Sequence, residues 1–474
     1  MDRVQYYDVN QVEGHSMTII LDNGELETVS RNNTKGAGIR ALCGGSWGYT
    51  SADGDADLQA GIQNASELAA SMNRRTPKER IELKTVSERS RRKKIGSMPV
   101  IKINPDDISA EEKAQMLRDI EKCAREEGIK STRVSYSEAI LLTRYFNSEG
   151  DEKEYRTVRS GFSISAVAAE GSCYQAGRES RFNIAGYEIF ERNDPFSLAR
   201  EAAKTALELL NAKTPKGGAL PVVLDPELAG VFTHEAVGHA SEADLVLQGD
   251  SVMAGKLGEQ IAIPELTVID DPTLHEYGFY PFDAEGVSPE KTVLIKDGVL
   301  NAFMHSRETA GIFGGESGSA GDAGRAGNAE YVGRAGNAGY VGNVGHARAQ
   351  GYAMPVVRMS NTYIGKGGAS FEEILEDIKD GIYLIGSRGG QVNTGEGVFQ
   401  FNAEKGYLIK NGEITDLVRD VSLSGQTLDI LKQIKMVGND VKLHAGHCGK
   451  AGQTVPVTDG APHISISKAT VGGA

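Results

Sequence analysis

A proline- and glycine-rich segment, Thr214-Pro215-Lys216-Gly217-Gly218, lies between two stretches of the chain that differ in texture. The chain has 474 residues, more than a single hydrophobic core of ordinary size holds. Proline and glycine together favour an exposed linker, so we expect a domain boundary at this segment. The sequence therefore predicts an N-terminal domain over residues 1–213 and a C-terminal domain over residues 219–474.

The N-terminal stretch carries alternating strand signals followed by helix signals. The expected strands cover residues 16–21, 25–31 and 37–43. A helical stretch follows at residues 57–72, and further helices begin at the capping box of Ser109 and Glu112 and at Asp194, which precedes a proline. This order predicts an antiparallel sheet with helices.

The C-terminal stretch is dominated by short β-branched runs separated by glycine or Asn-Gly turns, of which Asn411-Gly412 is an example. Helix signals are few there. The fold class predicted for the whole chain is therefore α+β. Its N-terminal α/β domain holds an antiparallel sheet and helices, and its C-terminal domain is strand-rich and barrel-like.

Composition and charge restrict the function classes. A net charge of −14 argues against nucleic-acid binding, which needs a basic face. The basic run at residues 74–94 is typical of a solvated surface. We expect a cytoplasmic protein without a membrane segment, because no signal-peptide core and no long apolar stretch occur. The four cysteines form no Cys-x-x-Cys pair, so a metal would need other ligands as well.

Residues 311–351 are rich in glycine, alanine and asparagine, and they contain a tandem nonapeptide repeat at residues 325–342. Two copies are too few to stack into a solenoid, and no phosphate-binding glycine pattern is present. A flexible loop insertion is the expected structure, with a mobile flap over a cleft as the alternative.

The motif His234-Glu-Ala-Val-Gly-His239 carries the chemistry that the sequence offers most clearly. A strand signal at residues 219–224 precedes it, Asp225 is a good N-cap, and Pro226 suits the first helical position. The motif should therefore lie on a helix that leaves a strand. Two imidazoles and a carboxylate are the parts that a zinc hydrolase needs as ligands and as base.

The spacing of the two histidines predicts a local distortion of that helix. Residues five positions apart on a regular α-helix point roughly 140° away from each other, so their rings could not meet one ion. A wider π-type turn would bring them together, and Gly238 gives the backbone room to adopt it.

A third ligand must come from elsewhere in the chain. The candidates are the acids Glu242 and Asp244, or a C-terminal cluster formed by His444, His447 and Cys448. The C-terminal cluster is favoured because a thiolate in a glycine-rich loop can approach an ion closely.

Four stretches of the sequence together resemble the TldD/PmbA family of metallopeptidases. They are residues 234–244 (His-Glu-Ala-Val-Gly-His-Ala-Ser-Glu-Ala-Asp), 358–363 (Arg-Met-Ser-Asn-Thr-Tyr), 436–439 (Met-Val-Gly-Asn) and 448–453 (Cys-Gly-Lys-Ala-Gly-Gln). The likeness is clearest from residue 217 onwards.

The resemblance implies a zinc ion held by His234, His239 and Cys448, with Glu235 as the base that activates water. It also implies the metal-bearing, TldD-like side of the family, because PmbA-like members lack the motif. Family members form dimers around a cleft that admits peptides or unfolded segments. The expected partners are accordingly a peptide substrate and either a second copy of the chain or a PmbA-like paralogue.

The sequence thus predicts a zinc-dependent peptidase, with another divalent metal such as Fe2+ as an alternative ion. Two other hypotheses compete with it. The chain could be a non-catalytic subunit that binds polypeptides, or its zinc could be structural and closed by a fourth ligand.

Overall fold

The structure is a computed structural model that describes residues 4–75, 81, 83–85, 98–314 and 342–473. The basic run at residues 74–94 and the nonapeptide repeat lie mostly outside these residues.

One antiparallel sheet of six strands organises the N-terminal half, in the order β3-β2-β1-β4-β5-β6. Its strands are β1 Tyr6–Asp22, β2 Glu25–Cys43, β3 Ser46–Asp53, β4 Ile129–Asn147, β5 Glu152–Glu170 and β6 Cys173–Asn183. The helices of this half are α1 Leu58–Arg75, α2 Ala110–Ala124, α3 Ile189–Arg192 and α4 Pro195–Asn211. The predicted antiparallel sheet with helices is confirmed.

Strand β2 differs from the prediction, because the runs expected at residues 25–31 and 37–43 form one continuous strand. The reason is its partner: β1 pairs with β2 along the whole length, from Asp22 opposite Glu25 to Tyr6 opposite Leu42. Backbone pairing of this extent overrides the local turn signal of the intervening residues.

The predicted helix starts of this half are confirmed. The Ser109 side chain accepts from the Glu112 backbone N–H while the Glu112 side chain accepts from that of Ser109, which completes a capping box. The Asp194 side chain accepts from the backbone N–H groups of Phe196 and Ser197. Helices α2 and α4 bury their apolar faces on the sheet, in a core that includes Leu117 and Phe162.

The C-terminal half is built from strands and short helices. Its strands are β7 Gly218–Leu224, β8 Val268–Asp270, β9 Thr292–Lys296, β10 Val299–Leu300, β11 Ala347–Arg348, β12 Val356–Val357, β13 Asn361–Ile364, β14 Asp380–Asn393, β15 Val398–Lys410, β16 Glu413–Val418, β17 Ser422–Gln426, β18 Ile434–Val437, β19 Lys442–Lys450, β20 Gln453–Ala461 and β21 Ile464–Gly472. Its helices are α5 Pro226–Phe232, α6 Ala243–Gln248, α7 Arg307–Gly314, α8 Phe371–Glu376 and α9 Thr427–Gln433.

Five strands of this half close into a barrel, in the order β14-β7-β21-β17-β15 and back to β14. Strands β16 and β18 attach to it. A second sheet has the order β10-β9-β8-β13-β20-β19. The mixed α+β class and the strand-rich, barrel-containing C-terminal half are therefore confirmed.

The expected domain boundary falls between α4 and β7, while the glycine-rich insertion predicted at residues 311–351 lies mostly outside the described residues. The largest hydrophobic core draws all its residues from the C-terminal half, between Val222 and Val471. No helix in the described ranges has the length and apolar character that a membrane crossing requires.

Candidate metal centre

The helix that carries the histidine motif leaves the barrel directly. Strand β7 ends at Leu224, and Asp225 caps α5 by accepting from the backbone N–H of Leu228 at 2.9 Å. A second N–H, from Gly386 on β14, reaches the same oxygen at 3.1 Å and ties the start of the helix to the barrel. The predicted strand, cap and helix start are confirmed.

Helix α5 continues into a π-helical turn over Thr233–Gly238. The backbone N–H of His239 donates to the carbonyl of His234, five residues earlier. The two rings consequently lie on one side, with centroids 5.2 Å apart and planes at 89°. The distortion predicted from the spacing of the histidines is confirmed.

The room that Gly238 gives the π turn is steric and does not come from unusual backbone angles. Its φ of −60° and ψ of −58° are ordinary right-handed helical angles, which any residue adopts. Space decides instead, because a Cβ at this position would lie 1.9 Å from the Met359 sulfur. Gly238 therefore allows close packing of the π turn against the segment that contains Met359.

Three donor side chains converge beside this turn. One ligand atom from each of His234, His239 and Cys448 lies within 4.8 Å of the others. The Cys448 Sγ, supplied by β19, is 3.4 Å from the Nε2 of His239. All three residues are buried, with 4%, 8% and 3% of their surface exposed respectively. The structure thus brings together the ligand set that the family resemblance implies.

A buried carboxylate orients one of these imidazoles. The Nδ1 of His239 donates to Glu242 Oε2 at 3.0 Å, so Nε2 is left to face Cys448. Lys450 donates to the same oxygen at 2.9 Å and also to Asp244 at 2.8 Å. A carboxylate behind a ligating histidine fixes the tautomer and raises the basicity of the ring.

The electrostatics of the centre favour an ionised thiol. Burial alone would raise the pKa of Cys448, but hydrogen bonds and charges from His234 and His239 outweigh it and lower the pKa to about 4. Burial opposes the charged form of His239, yet Glu242 and Cys448 raise its pKa well above the ordinary value. A thiolate beside imidazoles is a donor set suited to zinc.

One further observation fits a metal. The Nδ1 of His234 is buried and has no hydrogen-bond partner among the described residues. An unpaired nitrogen in such a place is costly unless something else binds it.

The other ligand candidates have different contacts. Glu242 and Asp244 are engaged by His239 and Lys450, as described above. His447 Nε2 lies 3.1 Å from the hydroxyl of Tyr277, and burial together with the charges of Arg181 and Lys442 lowers the pKa of His444 to about 4. Within the described ranges, the acids and the other two histidines do not join the cluster of ligand atoms.

Glu235 lies at the open side of the centre. Its Oε2 is 4.0 Å from the Nε2 of His239, and 31% of its side chain is exposed. The carboxylate can therefore meet both the ligand atoms and a molecule that enters from solvent, which suits a general base.

Sequence reasoning missed two residues around the centre. Lys450 shares a strand face with Cys448, two positions away, and this period-two spacing was a usable signal.

Asp459 is the second missed residue, and the sequence contains no such signal for it. It lies against the helix at Gly230, where a Cβ would come within 2.9 Å of its Oδ1. Burial, reinforced by Glu235 and opposed by His234, raises the pKa of Asp459 to about 7.

Comparison with known proteins gives three family matches. Residues 7–72 match domain 1 of the PmbA/TldA metallopeptidases, residues 103–210 match the central domain, and residues 217–473 match the C-terminal domain. A metalloprotease of Archaeoglobus fulgidus is 41% identical over 99% of this chain and 100% of its own. A zinc metalloprotease TldD homologue of Saccharolobus solfataricus is 31% identical over 94% of this chain and 91% of its own.

Solved structures share the fold. A putative modulator of DNA gyrase from Thermotoga maritima has a TM-score of 0.76 at 23% identity, covering 98% of this chain and 96% of its own. TldE from Thermococcus kodakarensis has a TM-score of 0.70 at 18% identity, covering 99% and 97%. Since the domain matches extend over nearly the whole sequence and its relatives are named metalloproteases, the chain belongs to the PmbA/TldD family of metallopeptidases.

Proposed function

We propose that this protein is a zinc-dependent peptidase, with His234, His239 and Cys448 as metal ligands and Glu235 as the catalytic base. The observation that carries the proposal is the convergence of three buried donor atoms within 4.8 Å beside a partly exposed carboxylate. A structural metal site has little use for a carboxylate that faces both the ligands and solvent.

When bound, zinc supplies a Lewis acid that polarises a peptide carbonyl and makes a water molecule acidic. The chain provides the proton transfers. Glu235 accepts the proton of the attacking water and passes it to the amine that leaves. Glu242 holds the ring of His239 in place throughout, because its own charge is fixed by Lys450.

We infer that the substrate is an extended segment of peptide or unfolded polypeptide. Strand β19 carries Cys448 and pairs within the described residues with β20 alone, so its other edge offers backbone donors and acceptors next to the centre. Addition of a substrate strand to such an edge uses main-chain hydrogen bonds and tolerates different side chains.

We further propose that the protein acts in the cytoplasm as a dimer, either with itself or with a PmbA-like partner. The structural likeness to a TldE protein supports a paired arrangement. Co-expression with a PmbA-like paralogue from the same source, followed by measurement of the mass of the purified assembly, distinguishes the two.

Substitution Glu235→Gln tests the catalytic proposal. We expect peptide hydrolysis to fall by about 100-fold to 10,000-fold, the range for loss of a general base, while metal content stays unchanged. Glu259→Gln, which removes an exposed carboxylate paired with Lys256, is the matched control. Full hydrolysis by metal-loaded Glu235→Gln would favour the structural-zinc hypothesis or another base. Absence of hydrolysis in both the wild type and the control would favour the non-catalytic, polypeptide-binding hypothesis.

A further inference from the structure

A cavity of about 370 Å³ lies where the N-terminal sheet faces the second sheet of the C-terminal half. None of the four residues of the candidate metal centre lines it in the described ranges, although Val455, the register partner of Cys448, does, as does Pro456, the partner of His447. Because successive side chains of a strand alternate between faces, His447 and Cys448 point to opposite sides of the β19–β20 hairpin.

Two arginines reach this cavity from opposite halves of the protein. Arg348 is only 7% exposed, and it donates to the carbonyls of Met359 and Pro456 while stacking 5.0 Å above the ring of Tyr280. Arg159, on β5, donates through Nε and Nη2 to two backbone carbonyls, those of Tyr277 and Phe279. Both guanidinium groups are therefore held by backbone oxygens.

Neither arginine forms an ion pair with a carboxylate in the described part of the chain. Their hydrogen bonds to backbone carbonyls use Nε and Nη2 of Arg159 and Nη1 and Nη2 of Arg348. Burial lowers the pKa of Arg348, and the charges of Arg159 and Arg358 act in the same direction, while Tyr280 and Asp270 oppose them. A buried charge such as that of Arg348 ordinarily has a partner of opposite sign, and an anion bound between it and the partly exposed Arg159 would supply one.

The acids in the cavity wall are already engaged elsewhere. Glu138 is paired with Lys113 at 2.8 Å. Asp283 accepts the backbone N–H groups of Glu285, Val287 and Ala347. The rest of the lining supplies further donors, the hydroxyls of Ser16, Thr18, Ser137, Thr143 and Thr157.

We propose that this cavity binds a small molecule that carries an oxyanion, a carboxylate or a phosphate, between Arg159 and Arg348. Guanidinium groups match the planar, bidentate geometry of these anions, and hydroxyls complete their hydrogen bonds. The volume lies within the range of small-molecule sites. This site is independent of peptide hydrolysis, so it stands whether or not the proposed function holds.

Isothermal titration calorimetry on the full-length, metal-loaded protein tests the proposal. Inorganic phosphate and succinate are titrated in separate arms, with chloride keeping the ionic strength constant. We expect saturable binding of one of them, and the arm that saturates identifies phosphate or carboxylate as the ligand class. Absence of saturable binding in both arms would overturn the proposal.

Three variants locate the binding. Arg159→Met should lower the affinity for the anion by about tenfold or more, because that is the contribution of a hydrogen bond from a charged group. Arg156→Met removes the same charge from an exposed position on the same strand and should leave binding unchanged. Ser137→Leu fills the cavity without altering charge, so loss of binding in this variant supports the site even where Arg159→Met does not fold. Equal affinity in Ser137→Leu, Arg156→Met and the wild type would overturn the proposal.

Discussion

The metal centre is assembled from two unlike elements, a distorted helix and an edge strand. The π turn Thr233–Gly238 is buried over most of its length, and together with His239, which follows it directly, it contributes two of the proposed ligands and the proposed base. Strand β19 is largely half-exposed and contributes one proposed ligand, Cys448, 209 residues away from His239 along the chain. The helix side is thus preformed by local packing, whereas the strand side depends on a hairpin held in place by Lys450.

This difference in burial gives the helix and strand β19 different roles. In the proposed function, a rigid helix fixes the angle between the histidines and the base, and the strand brings the thiolate while leaving an edge open for substrate. If the contacts between the helix and strand β19 matter as much as their distances indicate, a change on one side should alter ionisation or metal binding on the other.

The largest expected effect is on the ionisation of the strand ligand. His234 and His239 lower the pKa of Cys448 from 9.0 to about 4 against the opposing effect of burial, so metal-free protein should keep a thiolate at neutral pH. Because the folded pKa lies below the unfolded one, the thiolate stabilises the metal-free fold at alkaline pH, and this contribution is lost as the pH falls towards about 4. Thiolate absorbance in the ultraviolet, with Cys448→Ser subtracted, measures the titration. A titration midpoint near the ordinary pKa of a thiol would contradict the contact of Cys448 with the two histidines.

Removal of the strand ligand comes next. Cys448→Ser should reduce metal affinity by more than about 100-fold. Loss of a residue that only hydrogen-bonds to a ligand already reduces affinity by up to about 100-fold, and loss of a ligand should cost more. Metal analysis of the purified protein after dialysis checks it. His444→Gln, on the same strand, is the control that should retain the metal. Loss of metal in the control and retention in Cys448→Ser would reassign the third ligand.

A smaller loss of metal affinity is expected when the carboxylate that hydrogen-bonds to His239 is changed. Glu242→Gln removes the charge behind His239 and should weaken metal binding by about 10-fold to 100-fold. Competition with a chromogenic chelator measures the affinity. Asp244→Asn, which touches Lys450 but not His239, should have a lesser effect. If the two variants weaken binding equally, Lys450 and not His239 is the relevant partner of Glu242.

The smallest expected effect concerns packing. Gly238→Ala should lower the free energy of unfolding by about 1–3 kcal/mol, the usual cost of overpacking, because its Cβ would meet the Met359 sulfur. Gly449→Ala beside Cys448 is the matched change on the strand, where a Cβ has no neighbour within 4 Å. Chemical denaturation of both variants gives the comparison. Equal stabilities would show that the π turn adapts as freely as the strand.

The sequence revealed most where the chemistry is local. The cap at Asp225, the proposed ligand pair His234 and His239, and the π turn between them all follow from spacing along a single helix. The fold class followed from the alternation of strand and turn signals. The joining of two predicted strands into β2 did not, because long-range pairing decides it.

Other features were out of reach for the same physical reason. The packing of Gly238 on Met359 and the approach of Asp459 to Gly230 depend on side chains that are more than 100 residues apart in the sequence. The closure of the barrel likewise depends on the register between distant strands. Periodicity along one segment contains no information about such pairs.

The contact between Cys448 and His239 has a consequence for the loading of the protein with metal. Glu242 and Cys448 raise the pKa of His239 against the effect of burial, so its ring tends to hold a proton in the metal-free protein. A ligating imidazole must be neutral, so uptake of the ion expels this proton into the buffer. The apparent heat of metal binding will therefore vary with the ionisation enthalpy of the buffer, and acidification will favour release of the ion.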